Sequence, residues 1–353
     1  MTLSKNDVKE LLIDLLRIYS PSGEERRIAD FISSFLRQRG VEAWIDNAGN
    51  VLAVRGNGRR VLWLHAHMDT VPGFIDVKEE GDLVYGRGAV DDKGPLASMI
   101  TAFLNSKPEI TLVLTLVTRE ESDSLGSLSL IRGNVPKPDG IIVGEPTNMH
   151  IAYSYRGSAR VEIKCLGQGG HTAGPGVEDN PILKVYSTFN IMAGKLGNGQ
   201  STESYTVTPT VINCGDHPSK VPTECIMTVN VRIPLNSSCR ELSNIIEGIE
   251  CAKVIDCTDP ITVNVNNPVV RSLVRASLRN NVKPLLSRKL GTSDMAILAK
   301  LTLNLAAYGP GDPTLSHGPI EYININDIML ASSILTNVID EFGRINVQNS
   351  ERG

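Results

Sequence analysis

The chain reads as an α/β protein whose main domain is interrupted by an inserted α+β segment. Three observations predict this. Short apolar runs alternate with helical stretches towards both ends of the chain. The middle follows a different order, β-α-β-β-α-β, the ferredoxin-like arrangement. The 353 residues also exceed what one compact core usually serves.

Taken in order, Val8, Leu11, Leu12, Leu15, Leu16 and Ile18 recur at helical spacing over residues 7–18. The turn Ser20-Pro21-Ser22-Gly23 ends that helix, and a second amphipathic helix runs to about Arg39. Strand-like runs follow at Val51–Val54, Val61–Leu64, Thr111–Thr118 and Ile141–Val143, with helices expected at about 94–106 and 124–132. From Tyr155 to Asn267 the spacing predicts a strand at 158–166 and a helix at 181–195. Strands near 205–213 and 224–233, a helix at 238–249 and a strand near 253–264 complete that segment. Alternation then resumes with a helix at 268–281, a strand at 284–288, a helix at 293–300, a strand at 302–307 and a long helix at about 325–343. The expected division is a discontinuous domain, 1–154 plus 268–353, with 155–267 inserted.

Composition excludes several classes. With 41% hydrophobic and 21% charged residues the chain is neither disordered nor fibrous. No run of about 18 apolar residues exists, so no span of a membrane is expected. The segment around Lys5-Asn6-Asp7 lacks the basic-then-apolar pattern of a signal peptide, and a cytosolic location is expected. The net charge of -4 gives no support for nucleic-acid binding as the main activity. Six cysteines, none spaced Cys-x-x-Cys, argue against a zinc ribbon or a redox dithiol. Free thiols are the expectation, since intracellular disulfides are chiefly a feature of hyperthermophile proteins.

The chemistry sits where strands end. Val61–Leu64 runs into His65-Ala66-His67-Met68-Asp69, Leu112–Thr118 into Arg119-Glu120-Glu121, and Ile141–Val143 into Gly144-Glu145-Pro146. Leu303–Tyr308 leads through a Gly-Pro loop to Ser316-His317-Gly318. In open α/β sheets ligands bind beyond the carboxyl ends of strands, so residues far apart in sequence can converge there. A glycine-rich loop, Gly86 to Gly94, adds Asp91 and Asp92 at a loop-to-helix junction. As a dinucleotide fingerprint it is poor, because no strand leads directly into it and the third glycine is out of place. Two histidines with three or more carboxylates suit two divalent ions such as Zn²⁺ or Co²⁺, with Mn²⁺ also accommodated. Two such ions sharing a water lower its pKa towards about 7, and a carboxylate that is not a ligand must then move the proton. Adjacent Glu120 and Glu121 can divide that labour. Asp69, two residues past His67, can accept the imidazole's second N–H and fix its tautomer. No Gly-x-Ser-x-Gly elbow is present, which disfavours a serine hydrolase.

Five ordered motifs together resemble the co-catalytic dizinc aminoacylase/carboxypeptidase family, which includes acetylornithine deacetylase, succinyl-diaminopimelate desuccinylase and dipeptidases. They are His67-x-Asp69, Gly86–Gly94, Glu120-Glu121, Val143-Gly144-Glu145-Pro146 and His317. The resemblance implies a mixed-sheet, zinc-exopeptidase-like catalytic domain, with the insert as a dimerisation or lid domain and a homodimer formed through it. It implies His67 and Glu145 on one metal, Asp91 bridging, and Glu121 and His317 on the second. Glu120 is then the general base and Asp69 the orienting carboxylate. Within the insert, Gly169-Gly170-His171-Thr172-Ala173 is similar to a motif whose histidine supports the oxyanion in a neighbouring subunit's site. Asn213 and Arg232 are expected to bind a substrate carboxylate, and Gly291-Thr292-Ser293-Asp294 to contact substrate. The chain most resembles the branch that releases lysine or ornithine from an amino-group carrier protein in lysine and arginine biosynthesis. There the α-amine is held as an amide on the carrier's C-terminal glutamate side chain. Alternatives are a deacylase of small N-acyl amino acids, a di- or tripeptidase, and a non-catalytic metal- or partner-binding scaffold.

Blander readings stand beside these for the neighbours. His65 is expected as a core residue or a support for the ligands, Asp92 as structural, and Lys93 as a surface charge at a helix start. Arg119, where the family often has an acid, is expected to favour the ionised form of Glu120.

Overall fold

The computed structural model describes residues 2–174 and 177–345. Helices α1 (Lys5–Arg17) and α2 (Arg26–Arg37) precede β1 (Ala43–Ile45), β2 (Val51–Arg55) and β3 (Val61–His67). Then come β4 (Lys78–Glu80), β5 (Leu83–Tyr85), α3 (Lys93–Asn105), β6 (Thr111–Val117), α4 (Leu125–Leu130), β7 (Gly140–Val143) and β8 (Ile151–Tyr155). The middle of the chain supplies β9 (Gly157–Leu166), β10 (Gly170–His171), α5 (Pro181–Leu196), β11 (Thr206–Cys214) and β12 (Lys220–Val221). It continues with β13 (Glu224–Ile233), α6 (Cys239–Glu247), β14 (Ala252–Thr258) and β15 (Ile261–Thr262). The remainder is α7 (Pro268–Arg279), β16 (Leu286–Lys289), α8 (Met295–Leu298), β17 (Leu305–Ala307), β18 (Tyr322–Asn324) and α9 (Ile325–Arg344).

The chain divides into two compact units. One comprises Met1–Tyr153, Val263–Ser287 and Ser293–Gly353; the other comprises Ser154–Thr262 and Arg288–Thr292. In the first unit a large mixed sheet runs β1-β2-β6-β3-β7-β17-β8. Its middle four strands, β6-β3-β7-β17, are mutually parallel. These strands are near-continuous apolar runs, as expected of strands buried on both faces. Helix α3 is buried along almost its whole length. It packs with α1 and α9 in one core that includes Leu12, Leu64, Phe103, Leu114 and Phe342.

The second unit holds a four-stranded antiparallel sheet, β11-β13-β9-β14, with α5 and α6 connecting its strands. Alternate residues of β9 and β13 are buried, so one face carries a separate core around Val161, Ile163, Val229 and Leu242. The strand expected at 253–264 is two short strands, because Asp259-Pro260 interrupts it; proline cannot donate to a ladder. The unit boundaries fall at 153/154 and 262/263, and Arg288–Thr292 joins the second unit instead of the first.

The expectation of free thiols is corrected here. Cys214–Cys225 and Cys239–Cys257 are disulfides, both in the second unit, and Cys165 and Cys251 are free. Sequence spacing carried no sign of the first pair, because it is the β11/β13 register that sets Cys214 opposite Cys225. Among the described residues no helix is long and apolar enough to cross a membrane.

Candidate active site

The four parallel strands β6-β3-β7-β17 are neighbours, so their carboxyl ends lie side by side. His67 closes β3, Glu120 and Glu121 follow β6, Glu145 follows β7, and His317 lies on the loop after β17. The Nε2 of His67 is 3.2 Å from Oδ1 of Asp91, and the Nε2 of His317 is 3.3 Å from its Oδ2 and 2.7 Å from Oε1 of Glu121. Two donor clusters result. Ligand atoms of His67, Asp91 and Asp92 lie within 4.8 Å of one another, as do those of Asp91, Glu121 and His317. Asp91 belongs to both.

Glu145 joins neither compact cluster, although it is buried where Asp91, Asp92 and His67 act on it. Asp92 stands in the first cluster beside His67 and Asp91. Its Oδ2 accepts the His67 backbone N–H at 3.2 Å, while its buried Oδ1 has no hydrogen-bond partner.

Asp69 meets His67 through two groups. His67 Nδ1 lies 2.9 Å from the Asp69 backbone carbonyl and 3.5 Å from its carboxylate. The nearer acceptor, the carbonyl, sets the tautomer. The carboxylate instead accepts the backbone N–H groups of Glu120 and Glu121 at 3.0 and 3.1 Å and the Ser22 hydroxyl at 2.6 Å. It thereby fixes the turn that aims both glutamates.

Burial sets the electrostatics. It pushes the Glu120 carboxyl well above its usual value; His67 opposes this, while Asp294, Glu145 and Glu121 add to it. Asp92 and Glu145 are likewise raised, first by burial and then by neighbouring carboxylates. Burial works against ionised Asp91 too, yet hydrogen bonds from His317 and His67 hold its carboxyl far below the usual range. His317 is raised to about 10 by its bonds to Asp91 and Glu121. Burial lowers His67, but Asp69 and Asp91 outweigh it and leave the ring well above its ordinary value. Buried acids outnumbering their cationic partners, with an unpartnered carboxylate oxygen among them, are what divalent cations neutralise. The residues present therefore fit metal ions.

Arg119 does not act as expected. Its guanidinium pairs with Asp123, its φ of 63° turns the chain, and it is not among the main influences on the Glu120 carboxyl. His65 is buried, with Nδ1 2.8 Å from the Thr115 hydroxyl and Nε2 3.2 Å from Asp294 Oδ2. Lys93 is no surface charge: only 1% exposed, its Nζ donates to the carbonyls of Leu15 and Ile18 at 3.0 and 2.7 Å. Burial brings its pKa down to about 7, against the pull of Glu321 and Asp69.

One residue escaped the sequence reading. Buried Glu321 accepts the backbone N–H groups of Gly88, Val90 and Asp91 at 2.9–3.0 Å and Arg87 Nη1 at 3.1 Å. It clamps the loop that carries Asp91. In that loop Gly88 has φ +88°, and a Cβ there would stand 2.8 Å from Thr70 Cγ2. The motif glycine is thus a demand of close packing as well as of backbone.

The residues expected to contact substrate lie in different settings. In the second unit Arg232 donates to Thr292 Oγ1 at 2.9 Å, and Thr292 donates to the Arg156 carbonyl. Gly291 has open space around it, and Ser293 is buried, its Oγ accepting the Met295 N–H. Asn213 is exposed and not beside Arg232. Arg232 stands opposite Thr206 and Asn213 opposite Ile226, about 20 Å apart along the ladder at roughly 3.3 Å per residue. His171 is exposed, and Thr172 beside it lines a pocket of about 580 Å³ with Cys214, His217 and Lys220. That places the His171 loop near the Asn213 end of β11.

Comparison with known proteins defines the class. Residues 63–341 match the model of peptidase family M20/M25/M40, and the chain belongs to that family. It is therefore a hydrolase of a family that works with divalent metal ions. A provisionally named [LysW]-lysine/[LysW]-ornithine hydrolase of Pyrobaculum aerophilum is 50% identical over 339 residues, covering 96% of this chain and 98% of the relative. Proteins named [LysW]-lysine/[LysW]-ornithine hydrolase from Sulfurisphaera tokodaii and Saccharolobus islandicus are 33% and 37% identical, each covering 96% of this chain and 96–97% of theirs. An M20 family metallo-carboxypeptidase from Sulfolobus solfataricus shares the fold, with a TM-score of 0.81 at 17% identity over 96% of this chain and all of that one.

Proposed function

We propose that this chain is a cytoplasmic amidohydrolase that releases lysine, ornithine or both from the C-terminal glutamate side chain of an amino-group carrier protein, serving lysine and arginine biosynthesis. The single observation that carries the hydrolytic reading is the pair of donor clusters sharing Asp91 beside the half-buried acid Glu120. The carrier substrate is supported by relatives of that name matching almost end to end.

In this reading two divalent ions, zinc or cobalt with manganese also accepted, are held by His67, Asp91, Glu121, Glu145 and His317. When bound, they polarise the amide carbonyl and lower the pKa of water at the site. Glu120 takes the proton of the attacking water and returns it to the departing α-amine of lysine or ornithine. Its raised pKa suits both halves of that transfer. Asp69 holds Glu120 and Glu121 by their backbone N–H groups, and Glu321 holds Asp91. His171 supports the oxyanion, and Asn213, Arg232, Gly291, Thr292 and Ser293 bind substrate.

The exposed His171 and Asn213 serve a neighbouring subunit's site in a homodimer formed through the second unit. Two features support this: β11 is an edge strand exposing Val211 and Ile212, and α5 exposes Leu183 and Tyr186.

The test is a substrate panel: carrier-linked lysine and ornithine, free N-acetylornithine, N-succinyl-diaminopimelate and dipeptides. The carrier conjugates are expected to be turned over fastest; brisk hydrolysis of a small substrate alone defeats the carrier reading. Glu120→Gln is expected to keep its metal and lose about 10²- to 10⁴-fold in kcat. Wild-type turnover in that variant would remove Glu120 as the base.

A further inference from the structure

Three cysteines stand in one rank across the sheet of the second unit, and a fourth lies one position out of it. The register sets Cys214 opposite Cys225 and Cys225 opposite Cys165, on β11, β13 and β9 in turn. Cys251 lies on the far side of β9, immediately before β14 and one position out of that rank: Ala252 pairs with Ile163, which sets Cys251 opposite Lys164. Its carbonyl accepts the Lys164 N–H at 2.8 Å, and its φ of 64° turns the chain into the strand. Its side chain packs against the same apolar core that buries Cys165. One end of the rank is already closed by the Cys214–Cys225 bond. At the other end the free thiols of Cys165 and Cys251 share one core, a single position apart along the ladder.

We propose that Cys165 and Cys251 close into a third disulfide, so that all six cysteines of the second unit are paired. The two thiols differ in access. Cys165 is fully buried, and burial together with its bond to Cys251 pushes it up to about 12, which makes it a poor first nucleophile. Cys251 is half-buried and can meet a reagent from solvent. The oxidant is an external disulfide. The Cys251 thiolate attacks one of its sulphurs, forming a mixed disulfide and releasing one thiol. Cys165 then gives up its proton and attacks the Cys251 sulphur, releasing the second thiol. Two protein thiols are oxidised and one external disulfide is reduced to two thiols.

The consequence is local and specific. The Cys239–Cys257 bond already ties the start of α6 to the end of β14. A Cys165–Cys251 bond would tie the start of β14 to β9. Helix α6 and the strand after it would then be covalently fixed from both sides.

The test uses the full chain incubated with excess oxidised glutathione, quenched in acid, denatured and alkylated with iodoacetamide before intact-mass and peptide analysis. The expected result is no alkylated cysteine and a cross-linked peptide joining Cys165 to Cys251. After a reductant the same protein should take up alkyl groups on all six cysteines. Two alkyl groups on Cys165 and Cys251 would overturn the proposal. So would glutathione retained on Cys251, or Cys165 joined to Cys225.

Discussion

Glu321 illustrates how a site can be legible while its support is not. Asp91, Glu120, Glu121, Glu145, His67 and His317 could be picked out because each follows an apolar run or a glycine-rich turn, a pattern visible in one dimension. Glu321 carries no such mark. Its importance lies in four donors gathered from 230 or more residues away, which only the fold brings to it. Lys93 was misread for the same reason, since a lysine at a helix start looks like a surface charge until burial is known. Buried carboxylates that hold a metal-ligand loop are costly to alter, typically about 10- to 100-fold in metal affinity. Glu321→Gln keeps the shape but can accept through only one of its two terminal atoms. Metal affinity, measured by titration against a competing chelator, is expected to fall within that range while the folded fraction by circular dichroism stays unchanged. Unaltered affinity would show that the loop holds Asp91 without this clamp.

At the scale of elements, the parallel strands β3, β6, β7 and β17 were readable because burial on both faces makes them uninterrupted apolar runs. Strands β4, β5, β10, β12 and β18 were not, being two or three residues long and in β4 wholly exposed, so they leave no period to detect. The edge strand β11 and helix α5 were found, but not which of their apolar side chains lie exposed. Helix α5 buries Val185, Thr188 and Met192 and turns Leu183, Tyr186 and Ile191 outwards, each at least half exposed. Apolar side chains on such a face are expected to be covered by a second copy. Replacing Leu183 and Tyr186 with glutamate is expected to give a monomer by light scattering. It should also lower turnover at unchanged metal content, since the proposed assembly is what brings His171 to a neighbouring site. A fully active monomer would sever the link between assembly and catalysis.

Over the whole molecule the buried acids of the site make stability depend on metal and pH together. In the metal-free chain Asp92, Glu120 and Glu145 have folded pKa values well above those of the unfolded chain, about 4. Above that pH the folded state holds protons the unfolded state has lost, so each group costs stability as pH rises. His67 and His317 act in the same direction: their contribution is complete below about 6.5 and is lost as pH climbs through the folded values, about 10 for His317. Asp91 opposes them only at acid pH, because its lowered pKa contributes fully once the unfolded carboxyl has ionised. From pH 6.5 to 10 the balance therefore declines. Cations reverse this, since they bind the deprotonated donors and gain affinity as protons leave. The thermal midpoint of chelator-stripped protein is expected to fall between pH 6.5 and 9, while zinc- or cobalt-loaded protein changes less, so the gap between them widens. A gap that stays constant across that range would mean that the buried carboxylates are not what the metal neutralises.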